Sequence, residues 1–275
     1  MRIDAHQHFW HYDPVRDAWI DDSMARIRAD FLPPDLRPLL ETNGFDGCVA
    51  VQADQSLAHN DFLLGLSRQY PFIRGVVGWV DLCSATVDEQ IASYAEQSGF
   101  VGVRHVVQGE APGFMDRPDF RRGISQLAAA GLTYDILIYH QQLAEATRLV
   151  AAFPDQCFIL DHVAKPVVAG LPDAAWVGGM QALARHPNVY CKLSGLVTEV
   201  PDRDWSGDLL RPYLDVVLGA FGAERALYGS DWPVCLVAAE YGQQLRVVEA
   251  ACQALSDAER ASIFGGTAAR CYGIA

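Results

Sequence analysis

Nowhere in this chain do apolar residues run on for the ~18 positions that a membrane-spanning helix needs. The opening residues lack a basic stretch followed by an apolar one, so they do not read as a secretory signal. Cations are in short supply, with 21 Lys and Arg facing 34 Asp and Glu for a formal net charge of −13. Such a chain has no basic field with which to hold a phosphate backbone or an anionic bilayer, which argues against nucleic acid and membrane as partners. The seven cysteines contain no CxxC pair and are odd in number, so no disulfide framework is expected. Cys48, Cys157 and Cys191 fall in apolar runs, where a thiol behaves as a small buried hydrophobe. A reducing cytoplasm is the expected setting. Also missing are a Gly/Ser-rich linker, a block of like charge and a low-complexity tract, and one domain over residues 1–275 is the economical reading. No heptad array is present, and the oligomeric state stays open.

What is present is apolar material in a regular rhythm. Hydrophobic residues make up 51% of the 275 positions, enough for a sizeable core. Eight short apolar or β-branched runs, at 3–9, 47–53, 74–81, 100–107, 132–139, 157–163, 189–194 and 226–230, read as strands. Helical spacing of apolar residues intervenes at 60–69, 87–97, 120–130, 143–152, 174–185 and 209–221. Strict βα alternation with eight units predicts an α/β fold, a (β/α)8 barrel. Residues 237–272 add C-terminal helices that close the barrel, the second opened by a capping box from Ser256 to Glu259. Two connections are long, 10–34 and 196–211, and carry Trp10, Trp19, Phe31, Glu199 and Trp205. Both leave carboxyl ends of strands, and both are expected to wall a pocket.

The first strand holds His6 and His8 one residue apart, and simple alternation predicts that Asp4, His6 and His8 share one face. Other strand ends carry polar residues that a packed barrel would not need there: Arg104-His105, Asp161-His162-Val163-Ala164-Lys165, Lys192-Leu193-Ser194-Gly195 and Gly229-Ser230-Asp231-Trp232-Pro233. Singly each is weak, since an Asp before a turn usually caps it and a basic residue at a strand end is usually solvated. All carboxyl ends of a closed barrel share one mouth, however, so together these residues converge.

On these segments, together with Asp4-Ala5-His6-Gln7-His8-Phe9-Trp10 and Gly102-Val103-Arg104, the chain resembles the amidohydrolase superfamily, and within it the metal-dependent hydrolases that include the sugar lactonases. The resemblance implies that His6, His8 and His162 surround a scissile carbonyl or a metal, while Asp231 activates water. His6, His8, His162 and Asp231 suit one divalent cation, zinc or manganese. Binuclear members place a modified lysine on the fourth strand where this chain has Arg104 or His105, which argues against a second ion. Whether turnover needs even one ion stays open, because Arg104, Lys165 and Lys192 offer charge that can stabilise an oxyanion directly.

The expected reaction is direct attack of water on a sugar lactone, with Asp231 as general base and His162, Arg104 and Lys165 polarising the carbonyl. His6, His8, Trp10, Lys192, Ser194 and Trp232 are expected to contact the ring, Trp10, Trp232 and Trp205 as aromatic walls. The resemblance favours an aldonolactone such as L-fuconolactone. Ser194 and Ser230 lack the Gly-x-Ser-x-Gly elbow, which disfavours a covalent route. Two other readings stand beside it: a zinc-dependent decarboxylase of an aromatic acid, and a non-catalytic sugar-binding barrel.

Overall fold

The computed structural model describes residues 1–274. Eight strands follow one another around a single sheet: β1 (Ile3–Gln7), β2 (Gly47–Val51), β3 (Ile73–Gly78), β4 (Phe100–Val106), β5 (Thr133–Leu137), β6 (Phe158–Leu160), β7 (Val189–Leu193) and β8 (Ala226–Tyr228). Neighbours are parallel throughout. The sheet closes into a barrel just beyond the ends of β1 and β8, where His8 N donates to Trp232 O (2.7 Å) and Asp231 N donates to His6 O (2.8 Å). The seam of the barrel thus runs between the first-strand histidines and Asp231.

Helices α1 (Pro33–Thr42), α2 (Leu57–Gln69), α3 (Val87–Ala95), α4 (Pro118–Leu127), α5 (Leu143–Ala152), α6 (Ala174–Ala184) and α7 (Gly207–Phe221) cover the connections, followed by α8 (Tyr241–Ala251), α9 (Asp257–Ala261) and α10 (Thr267–Tyr272). Four of them start where the sequence provides a side-chain cap. Ser56, Asp173 and Ser206 accept from backbone N–H groups of the first turn, and Ser256 with Glu259 forms the expected box. Helix α1 is not expected from sequence: the loop there runs to residue 34, and no element is assigned to 35–42. Pro33, Pro34 and Pro38 disguise the helix: the first two sit in the first turn, where a missing N–H has no partner, and Pro38 lies inside the helix.

Strand-facing residues divide into two apolar layers. Cys48, Ala50, Val76, Val103, Tyr134, Phe158 and Cys191 point outward to the helices, whereas Ile3, Ala5, Val49, Val51, Val77, Ile159 and Leu227 fill the barrel interior. Ala268, Tyr272 and Ile274, in and just after α10, join the inner layer, so the C-terminal segment plugs the barrel from its amino-terminal end.

Strand β1 departs from simple alternation. Asp4 pairs with Cys48 but Gln7 pairs with Ala50, so three steps on β1 match two on β2 and one residue is extra. This bulge resets the facing of the strand. Asp4 therefore does not share a face with His6 and His8. Its carboxylate accepts from Ser230 N (2.8 Å) and from Tyr241 Oη of α8 (3.1 Å), while both imidazoles reach the interior. Burial pushes the Asp4 pKa up to about 6 against the opposing pull of those donors. Asp4 ties β1 to the β8 end across the seam, and Asp4→Ala leaves three buried donors, Ser230 N, Tyr241 Oη and His6 N, without their acceptor. Equilibrium urea unfolding should show a loss of about 3 kcal/mol, the scale of stranded polar groups, and a loss under about 1 kcal/mol would contradict this role.

Candidate active site

The site is built on the carboxyl ends of the strands. His6 Nε2 lies 3.1 Å from His8 Nε2. Asp231 Oδ1 faces three imidazole nitrogens, at 3.4 Å from His8 Nε2 and at 3.7 Å from both His6 Nε2 and His162 Nε2. His6, His8, His162 and Asp231 are all buried. Gly229 makes the close approach possible: a Cβ there would stand 2.6 Å from His6 Cβ. Burial lowers the pKa of all three histidines, that of His162 to about 4, and they are neutral near pH 7. Burial would raise the Asp231 carboxyl, but His162, His8 and His6 outweigh it and hold the group well below the usual carboxylate range.

Each imidazole is oriented from behind. His8 Nδ1–H donates to the Val51 carbonyl (2.8 Å), which leaves Nε2 with its lone pair directed into the site. His162 Nδ1 is paired with Ser194 Oγ (2.8 Å). His6 Nδ1 sits between Lys192 Nζ (3.1 Å) and Asp161 Oδ1 (3.3 Å). Ser194 and Lys192, expected to touch substrate, instead stand behind these rings, and Lys192 is fully buried against Asp135 and Asp161.

Arg104 projects inward from β4, with Nη1 3.1 Å from Asp161 Oδ2 and 3.4 Å from His6 Nε2, and Nη2 on the Gln52 carbonyl. His105 turns the other way, between Trp79 Nε1 (3.2 Å) and Glu110 Oε1 (2.8 Å), with its ring stacked on Phe114. Arg104 is thus the β4 side chain at the site.

Strand β6 stops at Leu160, short of the expected 163, because four successive residues adopt left-handed backbone: His162, Val163, Ala164 and Lys165, at φ 51°, 49°, 59° and 43°. Each costs on the order of 1–2 kcal/mol for an L-residue. Trp176 Nε1 donating to Val163 O (3.0 Å) and Lys165 N donating to His162 O (2.8 Å) hold the turn. It aims His162 at Asp231 and carries Lys165 to the rim, where its Nζ lies 3.6 Å from Glu199 Oε1. Burial raises the Glu199 pKa above the usual value, opposed by Lys165.

The three tryptophans stand in different settings. Trp232 is buried with Phe9 and Phe31 set edge-on around it, and Trp205 Nε1 donates to Ala238 O (2.9 Å). Trp10 is buried against Ile20 and Ile27 yet lines a cavity of about 210 Å³, together with Arg16, Asp54, His59 and Phe62, between the loops that follow β1 and β2. The residues missed from sequence are Asp135 and Gln52, while Asp161 is noted at its strand end without a role. A charged residue in the middle of an apolar run, as Asp135 is within Thr133–Leu137, was the available signal, since inside a barrel it must find a partner.

A family model described as Amidohydrolase matches residues 3–274. The chain belongs to the amidohydrolase family. It is 39% identical to an L-fucono-1,5-lactonase of Burkholderia multivorans, covering 100% of this chain and 96% of that relative. It is 38% identical to an L-fucono-1,5-lactonase of Burkholderia ambifaria over the same shares of each. Among solved structures, a Burkholderia multivorans amidohydrolase crystallised with bound zinc superimposes with a TM-score of 0.96 at 39% identity, covering 100% of both chains.

This amidohydrolase has a donor set that fits one divalent cation. His6, His8 and Asp231 each offer a ligand atom within 4.8 Å of the others. Tetrahedral zinc with bonds of about 2.0–2.1 Å spaces its ligands by about 3.3 Å, and the triplet shows 3.1, 3.4 and 3.7 Å. His162, named from sequence as a fourth ligand, has its Nε2 as far from Asp231 Oδ1 as His6 Nε2, at 3.7 Å, and offers a ligand atom in a second group with His6 and Asp161. Three protein ligands with an open position is the pattern of catalytic zinc sites. The Arg104 guanidinium beside His6 Nε2 disfavours a second ion. Titration of metal-stripped protein with zinc should saturate at one ion per chain. In His8→Ala the affinity should fall at least ~100-fold, because one of three ligands is gone; unchanged affinity would remove His8 from the set.

Proposed function

We propose that this amidohydrolase opens a sugar lactone by direct attack of water, and that L-fuconolactone or a stereochemical relative is its substrate. The reading is carried by one carboxylate oxygen, Asp231 Oδ1, facing three neutral imidazoles at the barrel mouth. Full-length identity of 39% to an L-fucono-1,5-lactonase supports the choice of ring.

Asp231 has the properties of a base that stays ionised. It takes a proton from water as the water oxygen bonds to the lactone carbonyl carbon. The carbon–oxygen ring bond then breaks, and the ring oxygen leaves with the proton Asp231 had accepted. The product is the open-chain hydroxy acid. His162 and Arg104 stand beside Asp231 and His6 and polarise the carbonyl oxygen as negative charge develops there, with Lys165 at the rim. A divalent ion on His6, His8 and Asp231 would supply Lewis-acid polarisation of the same oxygen.

Charge limits the substrate. Arg104 is engaged by Asp161 and the Gln52 carbonyl, Lys192 lies behind His6, and Lys165 is paired with Glu199. No unpaired cation is thus left among these side chains for a substrate with several carboxylates, whereas a neutral polyhydroxy ring needs none. This also disfavours decarboxylation of an aromatic acid, which requires a carboxylate pocket.

A panel of aldonolactones assayed by acid release should show turnover, fastest with L-fuconolactone or a close stereoisomer. Silence across the panel would overturn the reading. Asp231→Asn should fold normally and lose about a thousandfold in kcat, the scale of removing base and positioned water. Turnover near that of the parent would take Asp231 out of the reaction.

A further inference from the structure

Beneath the imidazoles lies a set of buried charges that the reaction itself does not use. We propose that Tyr272, in the C-terminal plug, is a positioning residue for this site: through Asp135 and Lys192 it fixes the orientation and tautomer of His6. The proposal rests on the lactonase reading for one of its two readouts.

The chain of contacts is continuous. Tyr272 Oη donates to Asp135 Oδ2 at 2.7 Å. Lys192 Nζ donates to the same oxygen at 2.5 Å. The ammonium also lies 2.9 Å from Asp161 Oδ1 and 3.1 Å from His6 Nδ1. The contacts to Asp135 Oδ2 and His6 Nδ1 are hydrogen bonds, while Asp161 Oδ1 is a charge partner without one. Lys192, Asp135 and Asp161 are fully buried, and Tyr272 is nearly so. Arg104 and Lys192 balance Asp135 and Asp161 in charge, so each ion is compensated only by the others.

His6 Nδ1 is the point at which this network meets the chemistry. With the proton on Nδ1, the Asp161 carboxylate at 3.3 Å is its charge partner and Nε2 turns a lone pair into the site. With Lys192 donating to Nδ1, the proton sits on Nε2 instead. The position of one ammonium between Asp135 and His6 therefore decides what His6 offers to Asp231, to water or to a cation. The Tyr272 hydroxyl bears on that position because it shares Asp135 Oδ2 with Lys192. Asp135 has one other donor, Thr133 Oγ1 at 3.3 Å on its second oxygen. Without the tyrosine hydroxyl, the buried carboxylate draws on Lys192 alone at Oδ2, and the ammonium shifts from His6 toward Asp135.

Tyr272→Phe keeps the ring in the plug and removes only the hydroxyl. Ile274→Ala loosens the same plug without touching the network, since Ile274 packs in the inner apolar layer. Two quantities are read on each full-length variant: kcat and KM for the lactone, and the ¹⁵N shifts of the His6 ring nitrogens, which report tautomer. Tyr272→Phe should lose about tenfold in kcat, the lower end for residues behind a ligating histidine, with KM unchanged and the His6 shifts altered. Ile274→Ala should melt earlier with kcat and His6 shifts as in the parent. Parent-like kcat and His6 shifts in Tyr272→Phe would overturn the proposal, as would equal changes in both variants. A parent protein that opens no lactone would defeat the lactonase reading, and the His6 shifts would still decide the role of Tyr272.

Discussion

The seam between β1 and β8 is the constraint on which the rest depends. Two backbone hydrogen bonds, His8 N to Trp232 O and Asp231 N to His6 O, close the barrel and in the same stroke set the Asp231 carboxylate against two of the imidazoles. Geometry that would otherwise have to be held by side-chain packing is fixed by the sheet itself. The bulge in β1 serves this arrangement, because it frees Asp4 to brace the seam from the helix side while His6 and His8 face inward. Structure and site are therefore not separable here: whatever opens the seam disperses the catalytic groups.

Electrostatics explains why so few charges do the work. Burial keeps the imidazoles neutral near pH 7, and as they charge in acid they hold Asp231 ionised, so base and electrophiles hold opposite roles without a large net field. The cations that a chain of −13 places near its mouth are already committed to partners, which tunes the pocket toward uncharged polyhydroxy rings. Below them, the pairing of Lys192 with two aspartates turns the barrel floor into a support for His6.

Strand number, order and the barrel were legible from spacing alone, because apolar runs at regular intervals report a repeating βα unit whatever its details. The meeting of His6, His8, His162, Arg104 and Asp231 was legible for the same reason: carboxyl ends converge. What escaped is instructive. Facing along β1 could not be read, since a one-residue bulge reverses alternation and leaves no trace in composition. Lys192 and Ser194 were placed on the substrate when they back the histidines, because a strand end fixes neighbourhood but not which side of a ring a residue occupies. Trp232 and Trp205 were given to the pocket on their residue type, whereas Trp232 packs in the core and the half-buried Trp205 is tied to the Ala238 carbonyl.

The left-handed stretch from His162 to Lys165 gives the site a particular mechanical character. A β-branched valine and an alanine in that conformation leave the backbone no neighbouring basin into which it can relax without breaking its anchors to Trp176 and within the turn. The segment behaves as a sprung tooth rather than a hinge, and the accuracy with which one imidazole points is stored as torsion in the main chain. Glycine at either position would release that tension and, with it, the aim.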